Sequence, residues 1–310
     1  MEKYKDLIIV GAGIAGVTAA IYARRAGLDF FLFEPATIGG QLLYMEKIDN
    51  YSGIPTGSSG SDFASGLKDN LKSLNIEVTS QRVERIEEDS GKFQVNTDSS
   101  LYESKGVIIA TGASFKKLGI KGEEGYTGKG VSYCALCDGF FFKGKEVAVV
   151  GGGNTAVEEA LYLAEIAKKV TLIHRRDRLR SLDYLQKELF SKNNVEVMFN
   201  SEVKEIRGEN FLKEIIIENN KDKNTSSLTP QGLFIAIGVR PNSVVARDFL
   251  SLDEKEFLIT DEYMNTSRKG VWAAGDCRKR PLRQLITAAS EGAIASVSAY
   301  KHIRGGYISS

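Results

Sequence analysis

The sequence predicts an α/β protein built from two similar halves, and three observations predict it. A strand–glycine turn–helix–strand pattern occurs twice, the stretches downstream of each copy echo one another, and both copies end on a polar residue at matching spacing. The first copy, LIIVGAGIAGVTAAIYARRAGLDFFLFE, covers residues 7–34. An apolar strand enters Gly11-x-Gly13-x-x-Gly16, a helix follows with Ile14, Val17 and Ile21 on one face, and a second apolar run, Phe30 to Phe33, ends at Glu34. The second copy, VAVVGGGNTAVEEALYLAEIAKKVTLIH, covers residues 147–174. Its strand enters Gly151-x-Gly153-x-x-Ala156, and its helix leads to the run Val170 to Ile173, which ends at His174. Glu34 lies 23 positions after Gly11, and His174 lies 23 positions after Gly151.

The echo extends beyond the turns. Ile76-Glu77-Val78 then Val83-Glu84-Arg85-Ile86 parallels Val195-Glu196-Val197 then Val203-Lys204-Glu205-Ile206, and GVIIATG at 106–112 parallels GLFIAIG at 232–238. Two large units at this spacing are Rossmann-like dinucleotide-binding domains of the three-layer ββα kind, and not a solenoid of short repeats. In each turn the first glycine permits the tight bend and the second lets backbone approach a pyrophosphate. The third position is small so that helix packs on strand. The helix N-terminus then offers free N–H groups to the phosphates.

The two units select different ligands. Glu34 is an acceptor suited to the ribose hydroxyls of an adenosine, so the first unit is read as holding FAD or NAD. His174-Arg175-Arg176, with Arg180 close behind, places cations at the equivalent position. Cations there favour a 2′-phosphate and a carboxylate would repel it, so the second unit is read as holding NADPH. Near the C-terminus, VWAAGDC at 271–277 is a strand running into Gly275-Asp276, and PLRQLITAASEGAIAS then leads into a helix. This is another place where backbone amides meet phosphate or ribityl oxygens.

The bulk numbers exclude several classes. A chain of 310 residues accommodates about two domains of ~150 residues. With 41 basic and 40 acidic residues, the formal net charge is +1 and no charge run forms a nucleic-acid or anionic-membrane patch. The uncharged stretch 7–23 could be read as a signal peptide or short membrane span, but its glycines, at the spacing of a nucleotide turn, argue otherwise. Three cysteines make no secreted disulfide framework, which places the protein in a reducing compartment, the cytoplasm.

Two of the three stand together in CALCDGFFF, 134–142. Buried structural thiols, half of a zinc site and a structural disulfide are rival readings. Zinc needs two further ligands, and the chain offers only Cys277, His174 and His302; no metal is expected. A redox pair fits best, because one thiol of a C-x-x-C attacks a partner's disulfide and its neighbour resolves the mixed disulfide. His302 lies in a Lys- and Gly-rich tail and is read as solvated. Cys277 is read as a small packed residue. SGIPTGSSGS, 52–61, reads as a connecting loop, and ENNKDKNTSS, 218–227, as a hairpin tip.

With these segments in view, the chain resembles low-molecular-weight thioredoxin reductases over nearly its whole length. The resemblance rests on GAGIAGVTAAIYARRAG, IGGQL, GVIIATGA, YCALCDGFFFKGKEVAVVGGGNTAVEEALYL, LIHRRDRLR, LFIAIGVRPN and AAGDCRKRPLRQLITAASEGAIA. It implies an FAD-binding domain split between 1–113 and 241–310, an NADPH-binding domain at 114–240 inserted between them, a homodimer, and thioredoxin as partner. It implies FAD contacts at Gly11, Gly13, Gly16, Glu34, Gly40, Gln41, Asn50, Thr111, Gly112, Asp276, Arg283 and Gln284. NADPH contacts are implied at Gly153, Asn154, Thr155, His174, Arg175, Arg176 and Arg180. Cys137 would face the flavin, Cys134 would attack the partner, and Asp138 would be the general acid, a role a desolvated carboxyl performs near neutral pH. Nicotinamide and dithiol would reach one flavin in turn, by a swing of the inserted domain about 113–117 and 240–242.

Three departures stand out. Leu42-Leu43-Tyr44-Met45 replaces a run of small polar residues, Ser52 stands where a proline is common, and Cys277 where an aliphatic is common. Rival functions are a reductase of another thiol protein, a dithiol oxidase, a ferredoxin-fed reductase, and a flavin-bound redox sensor.

Overall fold

The computed structural model describes residues 3–45, 47–55 and 57–305. The chain forms two compact units. One comprises the described residues up to Met45, Tyr51–Ser114 and those from Arg240 onward; the other comprises Phe115–Val239 with residues 47–50.

The first unit begins with β1 (Tyr4–Val10), α1 (Ile14–Arg25) and β2 (Phe30–Phe33). α2 (Gly60–Ser73) and β3 (Val78–Thr79) follow, then β4 (Val83–Asp89), β5 (Lys92–Thr97) and β6 (Leu101–Ile109). The chain leaves along β7 (Ala113–Phe115). The second unit contains α3 (Glu123–Tyr126), β8 (Val131–Ser132), α4 (Ala135–Asp138), β9 (Glu146–Gly151), α5 (Asn154–Ile166), β10 (Lys169–Ile173) and α6 (Asp183–Ser191). It continues through β11 (Val195–Met198), β12 (Ser201–Gly208), β13 (Leu212–Asn219), β14 (Thr225–Leu228) and β15 (Gly232–Ala236). β16 (Val239–Pro241) returns, paired with β7, and β17 (Val271–Ala273) and α7 (Leu285–Arg304) complete the first unit.

The first unit's sheet runs β3-β2-β1-β6-β5-β4, with β17 also on β6. β2, β1, β6 and β17 are parallel, and their registers place Phe33, Val10, Ile109 and Ala273 in one row. These strands are continuous apolar runs because both faces are covered. Leu7, Ile8, Ile9, Val107, Ile108 and Ile109 are fully buried. The second unit's main sheet runs β11-β10-β9-β15-β8, all parallel, and β12-β13-β14 forms a separate antiparallel sheet.

The segment at 7–23 is the end of β1, the glycine turn and most of α1. Among the described residues no helix is long and apolar enough to cross a membrane. The 218–227 stretch is the tip of the β13–β14 hairpin. The Gly/Ser-rich stretch ends in a helix start, because Ser59 caps α2 in a capping box with Asp62. His302 is exposed, as expected, although it lies on α7 with its ring edge-on to Trp272 at 5.6 Å, and partial burial lowers its pKa.

α1 and α7 pack closely because the contact is lined with small residues. A Cβ on Gly292 would meet Ala15 O at 2.1 Å. Backbone on one side leaves nothing to yield, so Gly292→Val is expected to cost more than about 3 kcal/mol of stability. Loss of the cooperative unfolding transition, or of soluble protein, checks it; an unchanged melting temperature would contradict the packing argument.

Candidate functional site

In a parallel sheet the loops that leave the strands all emerge at the carboxyl edge, and ligands bind there. In the first unit the register brings Gly11, Glu34, the 110–112 turn and the 274–276 turn to one edge. Gly11 has φ +102°, and a Cβ there would meet Ala110 O at 2.4 Å. A Cβ on Gly16 would meet Gly11 O at 1.8 Å, so the third glycine is required by helix-on-strand packing. Gly13 is different: a Cβ there would meet nothing within 4 Å, which leaves its backbone open to a ligand. The Glu34 carboxylate accepts Ala12 N at 2.9 Å and Ala36 N at 3.0 Å, so it is held at the turn.

Gly40 and Gln41 begin a short 3-10 helix, Gly40–Tyr44, and Gln41 Nε2 donates to Ala113 O. Leu42 is buried in that helix, whereas Leu43 and Tyr44 are exposed. Thr111 Oγ1 donates to Asn242 O at 2.6 Å, Asn242 Nδ2 donates to Thr111 O at 2.9 Å, and Asn242 N donates to Gly112 O at 3.0 Å. Gln284 caps α7. Asn50 lies in the 47–50 stretch that groups with the second unit.

The Gly275-Asp276 turn is held by groups that the sequence does not advertise. Glu291 of α7 accepts Gly275 N at 2.8 Å, Arg278 Nη1 at 2.5 Å and Arg280 Nη1 at 3.2 Å. Arg280 also reaches Asp276 at 3.2 Å. Burial raises the Asp276 pKa against the lowering pull of Arg280 and Arg283. Among the described residues, Arg280 Nη2 and Arg283 Nε are buried without a hydrogen-bond partner. Two orphaned guanidinium nitrogens, an open glycine and an anchored carboxylate fit an anionic nucleotide cofactor. Cys277 is fully buried in the core and its thiol donates weakly to Ile109 O and Ala274 O.

In the second unit the same logic places Gly151, His174 and the residues after β8 at one sheet edge. Gly153, Asn154 and Thr155 begin α5, and Asn154 Oδ1 accepts Leu182 N at 3.0 Å. The His174 ring is buried against Gly152, where a Cβ would meet it at 2.2 Å, and His174 Nε2 donates to Arg178 O at 3.0 Å. Burial lowers the His174 pKa, so the ring is neutral near pH 7 and is a spacer more than a cation. Arg175, Arg176 and Arg180 are exposed, and none of them forms an ion pair among the described residues. Three exposed guanidinium groups beside a glycine turn are a candidate anion site, since Arg presents a fork of donors suited to phosphate.

Cys134 and Cys137 form a disulfide, with Cα atoms 5.3 Å apart. Cys134 is the N-cap of α4 and its sulfur accepts Cys137 N at 3.2 Å. Ser132 Oγ donates to Asp138 Oδ2 at 2.6 Å and accepts Cys134 N at 3.1 Å. One buried hydroxyl therefore fixes both the start of the redox turn and the carboxyl at its end. Tyr133 stacks on Phe115 at 5.2 Å and its hydroxyl donates to Glu123 at 2.9 Å. Burial pushes the Tyr133 pKa up to about 12, so it stays a donor. α4 lies on α5, because a Cβ on Gly139 would strike Tyr162 and Leu163. Glu159 of α5 accepts the Ala135 N–H, and burial pushes its pKa up to about 7. Ser132 lies just before the quoted CALCDG motif, and Glu159, Asn242, Arg280 and Glu291 lie inside quoted motifs in which nothing local singles them out.

A family profile described as pyridine nucleotide-disulphide oxidoreductase matches residues 5–292. The chain belongs to the pyridine nucleotide-disulphide oxidoreductase family. Within it, the chain is 40% identical over 305 residues to a Clostridium pasteurianum protein named for its place in a rubredoxin operon, covering 98% of this chain and 99% of that one. It is 40% identical over 306 residues to a Listeria innocua thioredoxin reductase, covering 97% and 95%. The crystal structure of a Streptococcus pyogenes thioredoxin reductase superposes with a TM-score of 0.95 at 41% identity, covering 99% of this chain and 100% of that one. The parallel sheets, the paired glycine turns and the disulfide all agree with membership of this oxidoreductase family.

Proposed function

We propose that the chain is an NADPH-dependent thioredoxin reductase, and the observation that carries this reading is a disulfide at the same sheet edge as an unpaired arginine cluster. The Listeria and Streptococcus reductases, covered over nearly their whole length, support it. FAD and NADPH are its cofactors: NADPH supplies a hydride, and FAD accepts it and passes two electrons on. The FAD-binding domain is 1–113 with 241–310, and the NADPH-binding domain is 114–240.

The protein's own groups divide the work. Gly11, Gly13, Gly16, Glu34, Gly40, Gln41, Asn50, Thr111, Gly112, Asp276, Arg283 and Gln284 bind FAD. The orphaned Arg283 nitrogen and the open Gly13 backbone are the features that favour this. Gly153, Asn154, Thr155, His174, Arg175, Arg176 and Arg180 bind NADPH, with the arginines on the 2′-phosphate. In the thiol step the Cys134 thiolate attacks a sulfur of the thioredoxin disulfide, breaking that bond and forming a mixed disulfide. Cys137 then attacks Cys134, the Cys134–Cys137 bond re-forms, and reduced thioredoxin leaves. Asp138, held by Ser132, handles the proton. By the resemblance, the enzyme works as a homodimer in the cytoplasm.

The test is anaerobic turnover of oxidised thioredoxin with NADPH and, separately, with NADH. Rapid oxidation of NADPH alone supports the reading. Flavin bleaching without turnover would remove thioredoxin as the partner, and no bleaching by NADPH would favour a ferredoxin-fed or oxidase role.

A further inference from the structure

Glu159 is a carboxyl at the redox pair to which the thiol-exchange scheme gives no task. It hangs from α5, takes the N–H of Ala135 between the two cysteines, and leaves Oε2 buried with no hydrogen-bond partner among the described residues. Ala135 is itself fully buried, so this contact is sheltered from water. The charges that bear on the carboxyl are Asp138, from α4, and Glu158, from its own helix, and both are negative. Burial and these neighbours outweigh the Ala135 N–H, and together they push its pKa up to about 7. A buried oxygen without a partner, on a carboxyl that contacts the turn joining the two cysteines, is where a proton is best stored when negative charge appears there.

We propose that Glu159 is a positioning residue that takes up a proton from solvent when the Cys134–Cys137 disulfide is reduced, and so sets the thiolate's pKa. The proposal rests on the reductase reading. Two-electron reduction, for which bound FAD would be the donor, breaks the S–S bond; one sulfur takes a proton from solvent and the other remains a thiolate, a gain of one negative charge. The Glu159 carboxylate plus one solvent proton becomes a neutral carboxyl, which offsets that charge. Re-formation of the disulfide on thioredoxin reduction returns the proton.

The test uses purified protein reduced with a chemical dithiol, with iodoacetamide alkylation rates followed from about pH 5 to 9. The wild type is expected to show two inflections, one near neutrality from Glu159. Glu159→Gln keeps an acceptor for Ala135 but cannot ionise, so its profile is expected to show a single inflection with the thiol pKa lowered by about one unit. An identical profile in both proteins would overturn the proposal. If Glu159→Gln does not fold, infrared difference spectra of wild type and Asp138→Asn decide: a protonated-carboxyl band appearing on reduction in both supports it, and no band in Asp138→Asn overturns it. Neither readout needs NADPH or thioredoxin. Failure of thioredoxin turnover would thus strike the function and leave this inference standing, while identical alkylation profiles in the two proteins would do the reverse.

Discussion

Cys134→Ser and Cys137→Ser are each expected to abolish NADPH-driven thioredoxin reduction, by at least about 10³-fold, because each removes one of the two sulfurs that must change partners. The flavin should still be bleached by NADPH in both variants, since neither sulfur belongs to the glycine turn or to the arginine cluster. The two variants should then part. Cys137→Ser keeps Cys134, the N-cap of α4, as a lone thiol and is expected to trap thioredoxin as a stable mixed disulfide, there being no second thiol to resolve it. Cys134→Ser should trap none. Non-reducing electrophoresis with thioredoxin reads the difference directly. Trapping by Cys134→Ser instead would exchange the roles of the two cysteines, and turnover by either variant would move the chemistry away from the pair altogether.

The second large effect concerns the nucleotide. Arg175→Ala combined with Arg176→Ala is expected to raise KM for NADPH about 10²-fold while leaving NADH kinetics nearly unchanged. Hydrogen bonds to charged groups contribute about 1.5–3 kcal/mol each, and exposure of these arginines places them at the lower end. The selectivity is the informative part. A folding defect would lower both activities together, whereas loss of a 2′-phosphate contact lowers one. Initial rates over a range of both nucleotides measure it, and equal loss with NADH would show that the cluster does something other than discriminate. His174 should behave differently from its neighbours. Its ring is buried and neutral, so His174→Ala would act through packing on Gly152 and affect both nucleotides.

Much of the architecture is legible in the sequence because the features that build it are local. Glycine spacing, apolar runs and the position of Glu34 and His174 at strand ends are properties of short stretches, and the parallel sheets come from them. The gathering at the carboxyl edge is then geometric, since Val10, Phe33, Ile109 and Ala273 share one row. The hidden features are pairings across long separations. Glu291 sits among small residues of α7, in a stretch read only as a helix, yet it closes on Gly275, Arg278 and Arg280. Asn242 binds Thr111 across 131 positions, a contact that no periodicity signals. His302 looks like a tail residue because sequence does not reveal that the end of α7 returns beside Trp272. Glu159 is hidden for a different reason: adjacent Glu158 and Glu159 look alike as letters, and only the placement of α4 separates the exposed one from the one that contacts the Ala135 N–H.

The burial of Cys277 has a practical consequence. Its thiol is fully enclosed and burial pushes its pKa up to about 11, so at neutral pH it is almost wholly un-ionised and out of reach of reagents. Thiol counting in the native protein therefore reads the redox pair against a silent background: none when oxidised, two when reduced. The third appears only when the fold opens. A single colorimetric titration, run native and then in denaturant, reports oxidation state and structural integrity on the same sample.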